Sequence, residues 1–576
     1  MTASPTLPQR DDLDAEGRRQ RLYDTRQQYK YDRDYLGPLS MLFIPHAWPP
    51  SFEEDVIGPL RDLPVAEAVK PEYVYPRWAP VFSTLESNLA SAHPDPNGGL
   101  RAYEQLFPKF DHPPRSIQSW QSDGYFAYQR LNGPNPMVIR QLTRANELPK
   151  DFSVTDGLFQ RVTGQRGTLA GEIDEGRIFL ADYDLLAPAE GAHVFPDPAD
   201  PTGKAQTSRY LAAPFGLFWW NPGAKQLEAI AIQLERVPSA QNPVYTRDDD
   251  PDTWLRAKTF FQISDLNHHE LSTHLCRAHL ALEVFPVATA RQLADTHPIH
   301  VLLRPHFEAM IYNNFQGRQL LLRPGGSLAS LLSPPLEKSL EIIKASYRAW
   351  DFTQLNPVTE LAARRLDNGV LNDAFFYRAD AIKVWGAISA FVHDYVRVYY
   401  RSDADVAGDT ELQSWARELA SPGGGHVRGF PDQIQTIEQL VSTVAPIIFA
   451  CGPQHAAVNF PQWDYVAFTP NMPGAAYRTP REAKSVLDIL SPSPTLNMVV
   501  AMDQLKTVFT LTCYRYGQLG QYGAAIADEP ALHAVEAFQR ALAAVSTAVD
   551  ERNRALPPDR QYPYLDPKLI PNSNNI

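Results

Sequence analysis

The chain has 576 residues, of which 44% are hydrophobic and 21% charged, with a formal net charge of −13. These proportions are typical of a globular protein with a large core. The negative net charge and the lack of a long Lys/Arg run argue against nucleic acid as a partner, because phosphate binding needs a basic surface. The three cysteines include no CxxC pair, so a disulfide framework is not expected.

Residues 1–34 carry dense charge of both signs and few large aliphatic side chains. This pattern predicts a charged N-terminal extension ahead of a body formed by residues 35–576. The first residues lack the apolar core of a secretory signal, and no apolar run is long enough to span a bilayer. We therefore expect a cytoplasmic location. Residues 36–52 are apolar and rich in proline, which favours either contact with a membrane interface or ordinary core packing.

Short apolar segments between residues 177 and 237 predict a small sheet, with a polar loop at 193–208. After Pro251 the pattern becomes helical, and residues 380–400 and 533–556 show apolar side chains at the spacing of one helix face. The last twenty residues contain five prolines, which exclude a continuing helix. Their apolar side chains predict an extended tail that docks on the body. The predicted fold class is mainly α with a small β-sheet.

Histidines concentrate between residues 268 and 306, where seven of the chain's fifteen lie: His268, His269, His274, His279, His297, His300 and His306. His274 and His279 are five residues apart, which in a regular α-helix leaves their side chains about 140° apart. A π-type widening would bring residues at this spacing onto one face. A shared metal therefore requires a locally deformed helix, which we expect Pro286 to kink further along.

Two other interpretations compete for the first histidines. The segment HELSTH is similar to the zinc motif HExxH but has one residue too many. One or two of the histidines fit a structural role, with the ring hydrogen-bonded to the backbone. Further along the chain, His455 and Asn459 are four residues apart and face the same way on a helix, which we expect Pro461 to end.

Three distant pieces of the sequence agree with one family. The histidine spacing, the segment QHAAVNF at 454–460 and the C-terminal PNSxxI at 571–576 together resemble the lipoxygenases, non-haem iron dioxygenases of polyunsaturated fatty acids. Weaker similarity runs through RLNGPNPMVIR, YLAAP and AIAIQL, so the resemblance covers nearly the whole chain. Within the family, the chain resembles the short bacterial lipoxygenases, which lack the N-terminal PLAT/C2-like β-barrel. Residues 35–576 would then form one catalytic domain.

The resemblance implies one non-haem iron ion with five protein ligands: His274, His279, His455, Asn459 and the main-chain carboxylate of Ile576. Nitrogen and oxygen donors without a thiolate suit iron, and manganese would suit the same set. The positions that support these ligands are His269, Glu270, Gln462, His297 and His306. A hydrogen-bonded chain from Glu270 through Gln462 to Asn459 is expected to orient the asparagine ligand. His268 and His300 match no family position, so we expect both side chains to lie on the solvated surface.

The family's reaction implies that ferric hydroxide takes hydrogen from a cis,cis-pentadiene of a fatty acid such as linoleate or arachidonate. Dioxygen then adds on the opposite face to give a hydroperoxide, an oxylipin precursor, and no protein side chain acts as acid or base. Gly317 lies where family members that form R products hold glycine, so R stereochemistry is implied, with simple packing as the alternative. Leu321 is expected to shield the substrate radical, and Leu266 to limit cavity depth or fill the core.

Two other functions stay open on the same fold. One is a hydroperoxide isomerase that forms epoxyalcohols, and the other is a non-catalytic lipid-binding protein. Gln316 and Met472 stand where some relatives have basic residues that hold the substrate carboxylate, so the sequence favours neither direction of substrate insertion.

Overall fold

The computed structural model describes residues 5–11, 14–31, 60, 62–95, 97–196, 206–371, 374–491, 493, 497–513 and 516–576. The apolar segment 36–52 lies outside these residues, so its membrane contact stays a prediction. Within the described part of the chain the fold is mainly helical with two small antiparallel sheets, which confirms the predicted fold class. No N-terminal β-barrel is evident in that part.

Helices account for most of the described chain. Those before the histidine-rich region are α1 (Ala15–Gln28), α2 (Pro71–Ser91), α3 (Asp123–Asn132), α4 (Asp156–Thr163), α5 (Leu169–Asp174) and α6 (Pro251–His268). Those that follow it, up to residue 349, are α7 (Val284–Gln292), α8 (Pro298–Leu303), α9 (Met310–Leu320), α10 (Ser327–Leu331) and α11 (Leu336–Ala349). The next are α12 (Pro357–Ala363), α13 (Phe376–Tyr399), α14 (Asp403–Ala407), α15 (Thr410–Ala420) and α16 (Ile437–Phe449). The last are α17 (His455–Asn459), α18 (Pro461–Tyr465), α19 (Val486–Leu490), α20 (Asn497–Thr512) and α21 (Glu529–Arg554).

The larger sheet has five antiparallel strands in the order β1-β2-β5-β6-β7. The strands are β1 (Arg140–Gln141), β2 (Ile178–Asp182), β3 (Gly191–Pro196), β4 (Gln206–Leu211), β5 (Phe215–Asn221), β6 (Gln226–Gln233) and β7 (Val244–Tyr245). The prediction of a loop at 193–208 was wrong at both ends, because β3 and β4 pair as a separate two-stranded ribbon. The exposed positions of β4 are Gln206 and Ser208, so the start of this strand looks polar in sequence.

The helix stripe predicted in residues 380–400 is buried core. On α13, Ala381, Ile388, Val392 and Tyr395 are all fully buried. The N-terminal extension also contributes to packing through α1. Arg18 is 2% exposed, and its guanidinium forms two hydrogen bonds with the Glu411 carboxylate, at 2.6 and 2.9 Å. A buried charge needs such a partner, and a sequence pattern cannot show one 393 residues away.

Helix α6 continues without a break into a π-helix, His269–His279, which confirms the predicted widening. The π-helix is followed by a 3-10 turn, Leu280–Leu282, and α7 begins at Val284. At His279, φ and ψ are −124° and −72°, outside the helical range. The expected kink at Pro286 was therefore wrong: the helix breaks before it, and Pro286 lies in the first turn of α7, where its missing N–H needs no partner.

The second ligand-bearing segment crosses the core as α16, a short π-helix at Ala450–Gln454, α17 and α18. As expected, the helix that carries His455 and Asn459 ends just before Pro461; this proline then begins α18, because proline is favoured at the first helical position. In the described chain, Ile437–Tyr465 is the one helical stretch long and apolar enough to cross a membrane, and 89% of its most apolar window is buried inside the protein. Core helices of this kind meet the same criterion.

Candidate metal centre and substrate cavity

Three imidazole rings from the two central helices meet in the core. The ring nitrogens of His274, His279 and His455 all lie within 4.8 Å of one another, and all three side chains are buried. The two Nε2 atoms of His274 and His279 are 3.2 Å apart. The π-helix makes this possible, because its wider turn places residues five apart on one face. The structure therefore brings three of the five expected ligands to one point.

The chemistry of this cluster fits a cation. His455 is 0% exposed, yet neither of its ring nitrogens has a hydrogen-bond partner in the described structure. Buried polar atoms without partners are rare and costly, and here the neighbouring groups are also nitrogen bases. A metal ion would satisfy all three rings at once. Nitrogen donors of this type suit iron, as well as manganese.

Asn459 lies one helical turn after His455, on the same side of the helix. Its Nδ2 donates to the carbonyl of Leu511 at 2.8 Å, which leaves the amide oxygen as the potential ligand atom. Gln462 Nε2 donates to that oxygen at 3.0 Å. The Gln462–Asn459 half of the expected chain is therefore present.

The other half of the expected hydrogen-bonded chain, from Glu270 to Gln462, differs from the prediction. Glu270 is hydrogen-bonded to His274, with 3.3 Å between Oε2 and Nδ1, and Gln462 Nε2 lies 3.5 Å from the same Nδ1. The structure shows no Glu270–Gln462 hydrogen bond among the described residues, so the expected continuous chain was wrong at that link. His274 stands between the two. A carboxylate that accepts from Nδ1–H leaves the Nε2 lone pair free for a metal.

Burial controls the protonation of these groups. Burial lowers the pKa of His279 to about 3, helped by the nearby His274. Burial also lowers the pKa of His455 well below its usual value, followed by the effect of His279 and His274. Burial alone would raise the pKa of Glu270, but its contacts with His269 and His274 outweigh that effect and lower it. The site at neutral pH therefore holds neutral imidazoles and an ionised Glu270.

The C-terminal tail docks as the sequence predicted. Ile576 is 7% exposed, and Tyr562, Leu565 and Ile570 are almost fully buried. The Ile570 carbonyl accepts from the N–H of Leu519 at 2.8 Å. Pro571 packs so closely on Gly452 that a Cβ there would lie 2.7 Å from the Pro571 carbonyl oxygen. The tail therefore reaches the core beside the π-helix that precedes His455.

The remaining histidines have separate structural roles. His269 Nε2 donates to the Val458 carbonyl at 2.8 Å and so joins the two ligand-bearing helices. His306 holds the tail through Nδ1 and the Asn572 carbonyl, at 2.9 Å. His297 bonds to Asp409 at 2.9 Å and accepts the N–H of Ile299 at the start of α8, and none of its described bonds is to a ligand residue.

The expectation of a solvated surface for His268 and His300 was wrong. Both are mostly buried, and His300 Nδ1 donates to the Leu293 carbonyl at 2.9 Å. His268 Nδ1 lies 3.3 Å from the Asn135 amide. Burial lowers the pKa of His268 to about 3 and that of His300 to about 4. Tertiary contacts, rather than family position, explain these two rings.

A cavity opens beside the imidazole cluster, and it is partly open to solvent. His274, His279 and Ile576 line it, together with many leucines. All three residues expected to control the substrate, Leu266, Gly317 and Leu321, are also in its wall. The wall is mainly apolar with a few polar groups, as is usual for small-molecule sites. The cavity suits an apolar ligand that reaches the histidine cluster.

Two pairs of residues at the site escaped the sequence analysis. Asn313 donates to the main-chain oxygen of Ile576 at 3.0 Å, and Asn314 to that of His279 at 3.1 Å. Thr273 donates to Asn135 Oδ1 at 2.8 Å. Three of the four, Asn135, Asn313 and Asn314, are amides in segments that otherwise looked like ordinary helix or turn, and Thr273 gave no signal of its own.

Comparison with known families gives the same assignment. The lipoxygenase family model matches residues 100–558, which is most of the chain. This chain belongs to the lipoxygenase family. It is therefore a member of a family of enzymes, and its histidine cluster could hold a metal ion.

Curated relatives of this lipoxygenase come from distant organisms. It is 34% identical over 467 residues to the polyunsaturated fatty acid lipoxygenase ALOX15B of Homo sapiens, covering 80% of this chain and 66% of the relative. It is 33% identical over 497 residues to the linoleate 9/13-lipoxygenase of Pseudomonas aeruginosa, covering 83% and 70%. It is 35% identical over 468 residues to the hydroperoxide isomerase ALOXE3 of Homo sapiens, covering 80% and 63%. The chain thus spans about two thirds of the length of these relatives.

Solved structures share the whole fold. A calcium-dependent 11R-lipoxygenase superposes with a TM-score of 0.86 at 28% identity, covering 100% of this chain and 83% of that one. A LOX variant in complex with arachidonate superposes with a TM-score of 0.85 at 27% identity, covering 100% and 84%. This lipoxygenase therefore shares its architecture with lipoxygenases of known crystal structure.

Proposed function

We propose that this lipoxygenase adds dioxygen to polyunsaturated fatty acids at a cis,cis-pentadiene and releases a hydroperoxide. The observation that carries the proposal is the contact between the three-imidazole cluster and the apolar cavity. His274 and His279 belong to both, so a chain in the cavity passes the metal site directly. The solved relative with bound arachidonate supports a fatty acid as substrate.

One non-haem iron is the proposed cofactor, held by His274, His279, His455, Asn459 and the main-chain carboxylate of Ile576. Manganese would fit the same donors. When bound, the metal supplies the one-electron oxidant and the base that together remove a hydrogen atom from the bis-allylic carbon. No second acid or base is needed from the protein. Glu270 serves His274 as a hydrogen-bond acceptor, and its lowered pKa keeps it ionised for that task.

The protein's contribution is to bind and orient the substrate and to exclude water. The leucine side chains that form much of the wall, including Leu266, Leu275 and Leu280, offer no hydrogen-bond partners to water. An apolar chain gains free energy by leaving water for such a wall, at about 25 cal/mol per Å² of apolar surface buried. The wall therefore binds the hydrocarbon and keeps a substrate radical from side reactions.

The proposed stereochemistry is R, and Gly317 supports it. A Cβ built on Gly317 would meet only the Cδ1 atom of Leu321, at 3.9 Å, so glycine leaves open space at this part of the wall. Leu321 lies one turn further along the chain and lines the same cavity. The space beside Gly317 is the proposed point where dioxygen meets the substrate.

The test is oxygen uptake by the iron-loaded protein with linoleate and with arachidonate, combined with metal analysis and chiral chromatography. The proposal expects one metal per chain, conjugated-diene formation and stoichiometric oxygen consumption. A protein that binds iron but consumes no oxygen with either acid would contradict it.

A second candidate function is isomerisation of hydroperoxides to epoxyalcohols, because the hydroperoxide isomerase ALOXE3 is as similar to this chain as the dioxygenases are. The same preparation distinguishes the two. Consumption of added hydroperoxide without oxygen uptake would favour the isomerase.

We also propose that residues 36–52 contact membranes that supply the substrate. Their apolar, proline-rich sequence supports this proposal. Deletion of the segment should reduce binding to liposomes, and unchanged binding would contradict the proposal.

A further inference from the structure

Helix α9 has a second role besides lining the substrate cavity. Gly317 on this helix faces the cavity, while Asn313, one turn earlier, contacts the chain's last residue. The Asn313 Nδ2 group donates to the Ile576 main-chain oxygen at 3.0 Å and to the Asn574 carbonyl at 3.3 Å. One amide therefore holds the C-terminus at two points that are 261 and 263 residues away in sequence.

The adjacent Asn314 makes the matching contact on the other side of the site. Its Nδ2 donates to the His279 carbonyl at 3.1 Å, and its side chain is 3% exposed. His279 is the last residue of the π-helix, and carbonyls at helix ends lack partners within the helix. Asn314 supplies that partner. Two neighbouring amides on α9 thus contact a histidine of the metal cluster and the terminal residue.

The chemistry of the Asn313 contact suits a carboxylate that must also bind a cation. Ile576 is 7% exposed, so its carboxylate is largely removed from water. A lysine or arginine at this point would neutralise the charge and compete with a metal for it. A neutral amide fixes the rotation of the carboxylate through one oxygen and leaves its negative charge, and its other oxygen, available.

We propose that Asn313 is a positioning residue of the metal site, which orients the Ile576 carboxylate toward the ion from the helix that also shapes the substrate cavity. The inference rests on the proposed function only in taking Ile576 as a ligand. Asn313 does not touch the reacting atoms and acts through the terminal carboxylate. Groups that orient metal ligands typically change metal affinity about 10–100-fold when they are removed.

The experiment compares Asn313→Ala, Asn313→Asp and a matched control in the full-length protein. The control is Asn242→Ala, which removes a buried amide of the same size that donates to the carbonyls of Glu235 and Val237 at 2.8 and 2.9 Å, in a contact that involves neither the tail nor the cluster. Two rates are measured without substrate: loss of iron or cobalt(II) to a chelator, and removal of Ile576 from the metal-free protein by carboxypeptidase. The absorption spectrum of the cobalt(II) protein reports the ligand geometry.

Asn313→Ala should increase both rates about 10-fold or more and change the cobalt spectrum. Asn313→Asp should have a larger effect, because a second carboxylate repels the first, whereas a merely structural role would make the nearly isosteric aspartate the milder change. Asn242→Ala should lower thermal stability and leave both rates at the wild-type values. Equal rates in wild type and Asn313→Ala, or equal increases in Asn242→Ala, would overturn the proposal.

The outcome is separable from that of the proposed function. Wild-type protein that consumes no oxygen, but whose metal loss depends on Asn313, would sink the proposed reaction and support the positioning role. Normal oxygen consumption with metal retention unaffected by Asn313→Ala would overturn the positioning role alone.

Discussion

Thr273 directly precedes His274, and its hydroxyl donates a 2.8 Å hydrogen bond to the side-chain oxygen of Asn135. Asn135 in turn donates to Asp265 at 2.8 Å, and Asp265 is paired with the buried Arg130 at 2.6 Å. This network connects the RLNGPNP segment with the junction where α6 becomes the π-helix. The network gives that segment a physical role, because it anchors the widened turn from outside the helix.

Thr273→Val should therefore weaken the metal site as well as the fold. The change keeps the shape but leaves Asn135 Oδ1 without its donor, which costs about 1–3 kcal/mol. We expect lower metal content per chain and a lower urea midpoint. The control is Thr259→Val on α6, whose hydroxyl bonds only the Leu255 carbonyl of its own helix at 2.9 Å. Equal metal content in the two variants would argue against the anchoring role.

The C-terminus should tolerate a change of side chain but not of main chain. Deletion of Ile576, or addition of one residue after it, removes or displaces the carboxylate proposed as a ligand, and metal retention should be lost. Ile576→Val keeps the carboxylate and most of the buried apolar surface, so it should retain the metal. Metal analysis after dialysis checks all three proteins, and a full metal complement in the extended protein would refute Ile576 as a ligand.

Removing a metal ligand should stabilise the metal-free protein. Both nitrogens of His455 are buried without partners, so His455→Leu replaces two unsatisfied polar atoms with apolar ones. We expect metal binding to be lost and the free energy of unfolding of the metal-free protein to rise by about 1–3 kcal/mol. His306→Leu should do the opposite, because the nitrogens of His306 have partners in Asn572 and Tyr522. Thermal unfolding of the metal-free proteins measures both, and destabilisation by His455→Leu would contradict the prediction.

The stability of the metal-free protein should fall as the pH is lowered from about 6.5 toward 4. Burial lowers the pKa of His306 to about 4, and the bond to Asn572 opposes this only in part. Between these pH values the unfolded chain binds a proton at this residue that the folded chain does not, so acid favours unfolding. The loss from this one group is about 1.4 kcal/mol per pH unit.

His306→Gln tests the source of that pH dependence. The variant should show a shallower loss of unfolding free energy over the same range, measured by urea titration at several pH values. The control is His393→Gln, which removes a half-exposed ring on α13. An unchanged slope in His306→Gln would assign the effect to other groups.

Gly317→Ala should change the stereochemistry of the product from R to S. The added methyl fits without displacing backbone, since its nearest neighbour is Leu321 Cδ1 at 3.9 Å, so the fold should be unaffected. The methyl occupies the proposed oxygen-access space and should redirect oxygen to the other end of the pentadiene. Chiral chromatography of the hydroperoxides checks this, with thermal unfolding as the control for stability. S product from the wild type would overturn the assignment.

The sequence alone determined the residue types of the site and one feature of its backbone. The five-residue interval between His274 and His279 requires a widened helix if both face one point, because the geometry of the helix is local and periodic. The proline-rich, apolar approach to Ile576 likewise determined that the tail docks, since such a segment can neither continue a helix nor remain solvated at low cost. Local periodicity was therefore sufficient for the predicted fold class and for the helices at 380–400 and 533–556.

Only the tertiary structure decided how those residues are held. Asn135 and Thr273 are 138 residues apart, and Asn313 and Ile576 are 263 apart, so no local pattern could predict either contact. The same reason explains the error at His268, which lies against Asn135, 133 residues away. The contacts of His300 with Leu293 and of Glu270 with His274 are local in sequence, and the sequence analysis missed them. A hydrogen bond forms between groups that packing brings within about 3 Å, and packing is a property of the whole chain.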